Sequence, residues 1–171
     1  MAKTEPYAAV VCDAGPLIHL DELDSLDLLL DFAYVLVPDS VWGEVGKHRP
    51  RALEFGRGHL RRAFAEGSEP PPLAALARSL SLGPGEREAL HLALRTPGLI
   101  LLTDDAAARL AAQALLIAVH GSIGVLLRAV RLGRRTREQV MATLESLGGR
   151  SSLHIRPALI AEIVQGLRSP R

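Results

Sequence analysis

Two short apolar runs, each closed by an acid, constrain this chain most: Val10-Val11-Cys12-Asp13 and Leu101-Leu102-Thr103-Asp104-Asp105. Apolar runs of this length without alternation fit strands buried on both faces, the habit of parallel sheets. Helical patterns separate them, so the chain predicts an α/β fold with a parallel sheet wrapped on both sides. Open sheets of this kind hold ligands beyond the carboxyl ends of their strands. Asp13 and Asp104 are therefore expected to meet at one rim. A glutamate helix start, Gly85-Glu86-Arg87-Glu88, lies between them in sequence. Acids gathered in one place repel each other, which predicts a divalent cation or raised pKa values.

Each acid alone has an ordinary structural use. Asp13, Asp104 or Asp105 could cap a helix, and Glu86 and Glu88 suit the first turn of one. In combination, Asp13, Glu86 and Asp104 supply hard oxygen ligands that suit magnesium or manganese. Such an ion can activate water for attack at phosphorus, which points to phosphodiester hydrolysis. Competing chemistries lack parts. Gly15 stands where an aspartyl phosphatase would place a second aspartate, and Lys3 and Lys47 are the only lysines, so a receiver domain has no late lysine. Gly43-Glu44-Val45-Gly46-Lys47 has the wrong spacing for a phosphate loop. The six histidines include no His-x-x-x-His pair, which disfavours zinc; His91 and His120 fit the core or the rim.

The 171 residues suit one domain, with a core over about 8–132 and C-terminal helices over about 135–168. Strands are expected at Tyr7–Cys12, Tyr34–Val37, Leu99–Thr103 and Leu115–Val119. Helices are expected after Pro16, from Asp24 as N-cap, after Asp39 or Ser40, and over Leu73–Leu80, Glu86–Arg95, Ala106–Ala114, Ser122–Arg131, Thr136–Leu147 and Pro157–Leu167. The stretch Pro50 to Ala65 reads as a basic helix, followed by the breaker Gly67-Ser68-Glu69-Pro70-Pro71-Pro72.

A single cysteine, Cys12, excludes an intrachain disulfide and fits a reducing, cytoplasmic setting. No export signal is evident near Met1. Leu110 to Leu127 carries no charge, but Gln113, His120, Gly121, Ser122 and Gly124 mark it as core rather than a membrane span. The net charge of +1 conceals segregation. Asp21, Glu22, Asp24, Asp27 and Asp31 form an acidic stretch. Lys47, Arg49, Arg51, Arg57, Arg61 and Arg62 form a basic one, and Arg128, Arg131, Arg134, Arg135 and Arg137 a second. Basic blocks on a neutral chain can follow a phosphate backbone, although a solvated face is the commoner explanation. Trp42, Phe55 and Phe64 near the first block could stack on bases, but aromatics at helical spacing usually belong to a core.

Five motifs in order resemble the PIN-domain superfamily: Asp13 to Ile18, Val37-Pro38 with Val41 through Val45, Gly85-Glu86 with Ala89-Leu90, Leu101 to Asp104 with Arg109, and His120 to Leu126. The match is to the DUF3368 branch of prokaryotic PIN-like proteins, relatives of VapC-type toxins. The resemblance implies a three-layer α/β/α sandwich and a magnesium- or manganese-dependent endoribonuclease. It assigns metal ligation and catalysis to Asp13, Glu86 and Asp104, with Glu44, Asp105 and Ser122 as auxiliary groups. Glu88 competes with Glu86 for the mid-chain role. The hydroxyl that many relatives carry soon after the first aspartate is missing, since Ala14-Gly15 stands there. Arg49, Arg51, Arg57, Arg61, Arg62 and Arg109 are the expected RNA contacts. The resemblance also implies a homodimer and the toxin half of a toxin–antitoxin pair, with an antitoxin protein as partner. The competing expectation is a non-catalytic PIN-like module that binds nucleic acid or protein.

Overall fold

A computed structural model describes residues 8–56 and 58–169. Five strands form one all-parallel sheet in the order β3-β2-β1-β4-β5, with β1 at Val10–Cys12, β2 at Val35–Pro38, β3 at Leu60–Ala63, β4 at Ile100–Leu102 and β5 at Val119–His120. The chain runs outward from β1 through β2 to β3, then returns to β4 on the other side of β1. The boundary between β1 and β4 is thus the topological switch point, where the carboxyl ends of the strands leave a crevice.

The central strands show why they are buried. Val10 and Cys12 face one core, with Leu17 and Leu20 of α1 (Ala14–Glu22) and Val125 and Leu126 of α7 (Ser122–Arg131). Val11 faces the other, against Leu73 of α4 (Pro71–Leu80), Leu90 of α5 (Pro84–Arg95) and Ala111 of α6 (Ala106–Ala114). Alternate residues of one strand therefore feed two apolar layers, which makes the α/β/α sandwich. Helices α8 (Arg137–Glu145), α9 (Leu147–Arg150) and α10 (Pro157–Arg168) extend the first layer through Val140, Leu144, Leu147 and Val164. Among the described residues no helix is long and apolar enough to cross a membrane.

Four expectations need correction. The basic stretch after Pro50 is not one helix: α3 covers only Pro50–Glu54, and Leu60–Ala63 is the edge strand β3. Gly56 and Gly58 adopt positive φ values of 59° and 85°, which end the helix and turn the chain into the sheet. The second correction concerns Asp24, which caps nothing. It sits at φ 50°, and the Leu-rich stretch behind it, Leu26–Asp31, is a 3-10 turn introduced by Ser25. Helix α2 (Asp39–His48) begins after Pro38 with Asp39 already inside its first turn. Strand β5 is shorter than expected because the αL residue Leu116 delays it to Val119. Of the strand expected at Tyr7–Cys12, Tyr7 lies outside the described residues.

Candidate active site

Strand β1 delivers Asp13 to the rim as the N-cap of α1, and its burial to 7% exposure follows from the central position of the strand. One carboxylate oxygen accepts the Ala14 amide at 2.8 Å and the other accepts the Thr103 hydroxyl at 2.9 Å. Those two bonds do not offset desolvation. Burial, reinforced by the charges of Glu86 and Glu44, pushes the Asp13 pKa up to about 6.

Strand β4 delivers Asp104 one strand away, into a different environment. His19 Nδ1 on α1 lies 2.7 Å from Asp104 Oδ2, and since a carboxylate only accepts, Nδ1 carries the donated proton. The Ser122 hydroxyl donates to the same oxygen at 2.5 Å and the Ser122 amide donates to Oδ1 at 2.7 Å. Burial alone would raise the Asp104 pKa, but His19 and Ser122 together hold it below the ordinary carboxylate value. Gly121 permits this packing, because a Cβ there would stand 2.6 Å from Asp104 Oδ1.

Asp13, Glu44, Glu86, Asp104 and Asp105 line one open cavity of about 390 Å³. Its basic lining groups are His19 and His154. Glu86, at the start of α5, accepts the Gly83 amide at 2.5 Å, and burial with the charges of Asp105 and Glu44 raises its pKa. Asp105 caps α6 through the Ala108 amide at 2.7 Å. Glu88 points elsewhere: its carboxylate accepts the Ser40 amide at 2.9 Å and lines a separate cavity with Glu69 and His91. Ser122 is fully buried against Asp104.

The arginines expected to meet RNA divide into groups. Arg49 pairs with Asp21 and Glu22, and Arg62 pairs with Asp39. Arg61 covers the ring of Tyr34 at 4.5 Å, and Arg51 is exposed on α3. None of these four lines the acidic cavity. Arg57 lies outside the described residues. Arg109 donates to the Thr103 carbonyl at 3.3 Å, next to Asp104, and lines an adjoining cavity.

Three residues not singled out from sequence belong to this site, Thr103 from beneath it and His19 and His154 in its lining. Thr103 is legible in hindsight as the polar residue inside an apolar strand. His19 falls four residues after Gly15 on α1, so both lie over the end of β4, and a Cβ at Gly15 would be 3.6 Å from the His19 ring. His154 has no local signature. It reaches the cavity because Ser151 and Ser152 donate hydroxyl and amide hydrogens to Glu22 at 2.7–3.1 Å, which ties the segment before α10 across the end of α1.

The donor chemistry fits a hard divalent cation: five carboxylates line the cavity and, among the described residues, no lysine or arginine does. As they stand, each of the three strongest candidates is held by its own neighbours, and among the described residues no three acidic, His or Cys side chains are placed to hold one ion. Glu86 would have to leave the Gly83 amide to join Asp13.

An acidic rim at the switch point of a parallel sheet, enclosed in an α/β/α sandwich, is the ground plan of a nuclease-type fold. The sequence profile of the DUF3368 family, a PIN domain, matches residues 9–169, and the chain belongs to that family. PIN domains are generally nucleases and typically use divalent metals. Neither the curated proteins nor the solved structures gave a significant match.

Proposed function

We propose that the protein is a metal-dependent endoribonuclease that hydrolyses RNA phosphodiester bonds with magnesium or manganese. The observation that carries the reading is the meeting of Asp13, Glu86 and Asp104 in one cavity with Glu44 and Asp105, where Asp13 and Glu86 have raised pKa values. Carboxylates driven toward protonation by burial, and further by one another, are those a divalent cation would relieve. Asp13, Glu86 and Asp104 would hold the ion, which when bound would lower the pKa of a coordinated water. Around it, Thr103 keeps one face of Asp13 in place, while His19 and Ser122 keep Asp104 ionised and oriented.

The test is cleavage of single-stranded RNA with manganese or magnesium by the wild type, Asp13→Asn and Asp104→Asn. Loss on the order of a hundredfold in both variants is expected. Equal cleavage by all three proteins would refute the assignment. A second reading, a non-catalytic module, draws on the absence, among the described residues, of three acidic, His or Cys side chains placed to hold one ion. Millimolar manganese separates the two: it must raise the melting temperature of the nuclease, since a ligand of the native state stabilises it. The role as a toxin with an antitoxin partner is part of the proposal as well. Growth arrest on expression of the wild type, absent with Asp13→Asn, is its expected outcome. The homodimer is likewise proposed, and sedimentation of the purified chain checks it.

A further inference from the structure

We propose that the cleft between α7 and α10, which opens off the acidic cavity, carries the RNA strand beside the cut, with phosphates on Arg109, His120 and Arg131. The inference rests on the nuclease reading above and adds the path of the substrate.

An adjoining cavity of about 370 Å³ shares Asp104, Leu153 and His154 with the acidic one, so a strand leaving the acids enters it directly. One wall carries Arg109 and His120, and the other carries Ile155, Leu159 and Ile163. Leu159 is 39% exposed. Such a pairing of a guanidinium and an imidazole N–H with an apolar wall suits a nucleotide, whose phosphate seeks the donors and whose base face seeks the apolar side. Past His120 the cleft continues into a cavity of about 490 Å³ that Arg131 also lines.

Electrostatics favours this route. Five carboxylates repel a polyphosphate, so binding must come from cations nearby that are not already neutralised. Arg49 and Arg62 of the first basic block are spent on Asp21, Glu22 and Asp39. Among the described residues neither Arg109 nor Arg131 has a carboxylate within ion-pair distance. Arg109, Arg131 and Arg128 all lie close enough to His120 for their charges, after burial, to depress its pKa, so the positive charge is gathered around this one imidazole.

The test measures binding of a fluorescent oligouridylate to the full chain in the Asp13→Asn background, with cleavage kinetics in the wild-type background. Arg109→Gln with Arg131→Gln is expected to weaken binding roughly tenfold and to flatten the salt dependence by about 0.7 per arginine removed. In cleavage, KM rises and kcat holds. Gly124→Leu is the charge-neutral companion. Gly124 lines both cavities beside the His120 ring, away from the acids, so leucine plugs the cleft. It should weaken binding similarly while manganese still raises the melting temperature. Arg61→Gln with Arg62→Gln, on β3, should change affinity less than about twofold. RNA bound equally by the cleft variants, or lost only with the β3 pair, overturns the cleft and leaves the nuclease reading standing. A wild type that neither cuts nor binds RNA overturns both. Binding without cleavage, weakened by the cleft variants, keeps the cleft and removes the catalysis.

Discussion

The ends of β1 and β4 are neighbours in the sheet, each closed by an aspartate, and they have opposite electrostatics. At β1, Asp13 is buried among other acids with one hydroxyl and one amide to hold it, and its pKa is about 6. At β4, Asp104 receives an imidazole, a hydroxyl and an amide, and its pKa is depressed. Position in a fold therefore does not set the protonation of a strand-end acid; the donors supplied by neighbouring elements do. One end is already supplied with hydrogen bonds and the other lacks positive charge, so in the proposed nuclease a cation would relieve chiefly the Asp13 side.

The sharpest way to break this comparison is to neutralise each aspartate and measure both cleavage and stability. Both Asp13→Asn and Asp104→Asn should lose activity on the order of a hundredfold, but their stabilities should move in opposite directions. A carboxyl whose folded pKa lies above its ordinary value of 3.8 favours the fold when protonated; that contribution is full below pH 3.8 and is lost as pH rises through 6. At pH 8 the ionised Asp13 costs the apoprotein up to about 3 kcal/mol, so Asp13→Asn should melt several degrees higher than wild type. The gap should close toward pH 4. Asp104 has the opposite sign: its contribution is present above the unfolded pKa and is lost as pH falls. Asp104→Asn should melt lower at pH 8, because it gives up charge-assisted bonds worth roughly 1.5–3 kcal/mol each. Thermal melts across pH 4–8 decide it, and equal shifts in the same direction would dissolve the contrast.

His19 offers a finer cut. Replacing it with phenylalanine should weaken manganese binding roughly 10–100-fold by calorimetry, because Asp104 loses the donor that orients it. Asn at the same position keeps a donor and should recover much of that loss. Gly121→Ala intrudes on Asp104 from the other side, and a clash of this kind typically costs about 1–3 kcal/mol in denaturant melts. Smallest of all is Glu88→Gln, expected within about twofold of wild-type cleavage, where Glu86→Gln should fall at least roughly tenfold. If the two glutamates behave alike, the separation of their cavities has no bearing on activity.

What could be seen in the chain before folding follows the same divide. Strand β4 and helices α6 and α7 were legible because the strand is a pure apolar run and the helices begin at Ala106 and Ser122, behind clear acid and glycine punctuation, whereas β5 was displaced by the positive-φ residue Leu116. The edge around β3 was not. Only Leu60 of its four residues is buried, and Arg61 and Arg62 face out, so no alternation distinguishes an edge strand from a basic helix. The helix expected after Asp24 forms as a short 3-10 helix that begins after Ser25, for a related reason: Leu26, Leu28 and Leu29 are all buried, and tertiary packing draws them into the tighter winding. The acids were visible as strand ends, but their partners were not. His19 donates across 85 residues and Thr103 across 90, and such pairings exist only once the sheet order is set.

One fastening has a practical edge. Glu22 grips Ser151 and Ser152, so the last stretch of the chain forms a wall of the working space opposite the acids. A protein shortened before Ser151, or one with a bulky tag fused behind Arg168, would be assayed with that wall missing or displaced. Its substrate preference would then report on the shortened protein rather than on the native one.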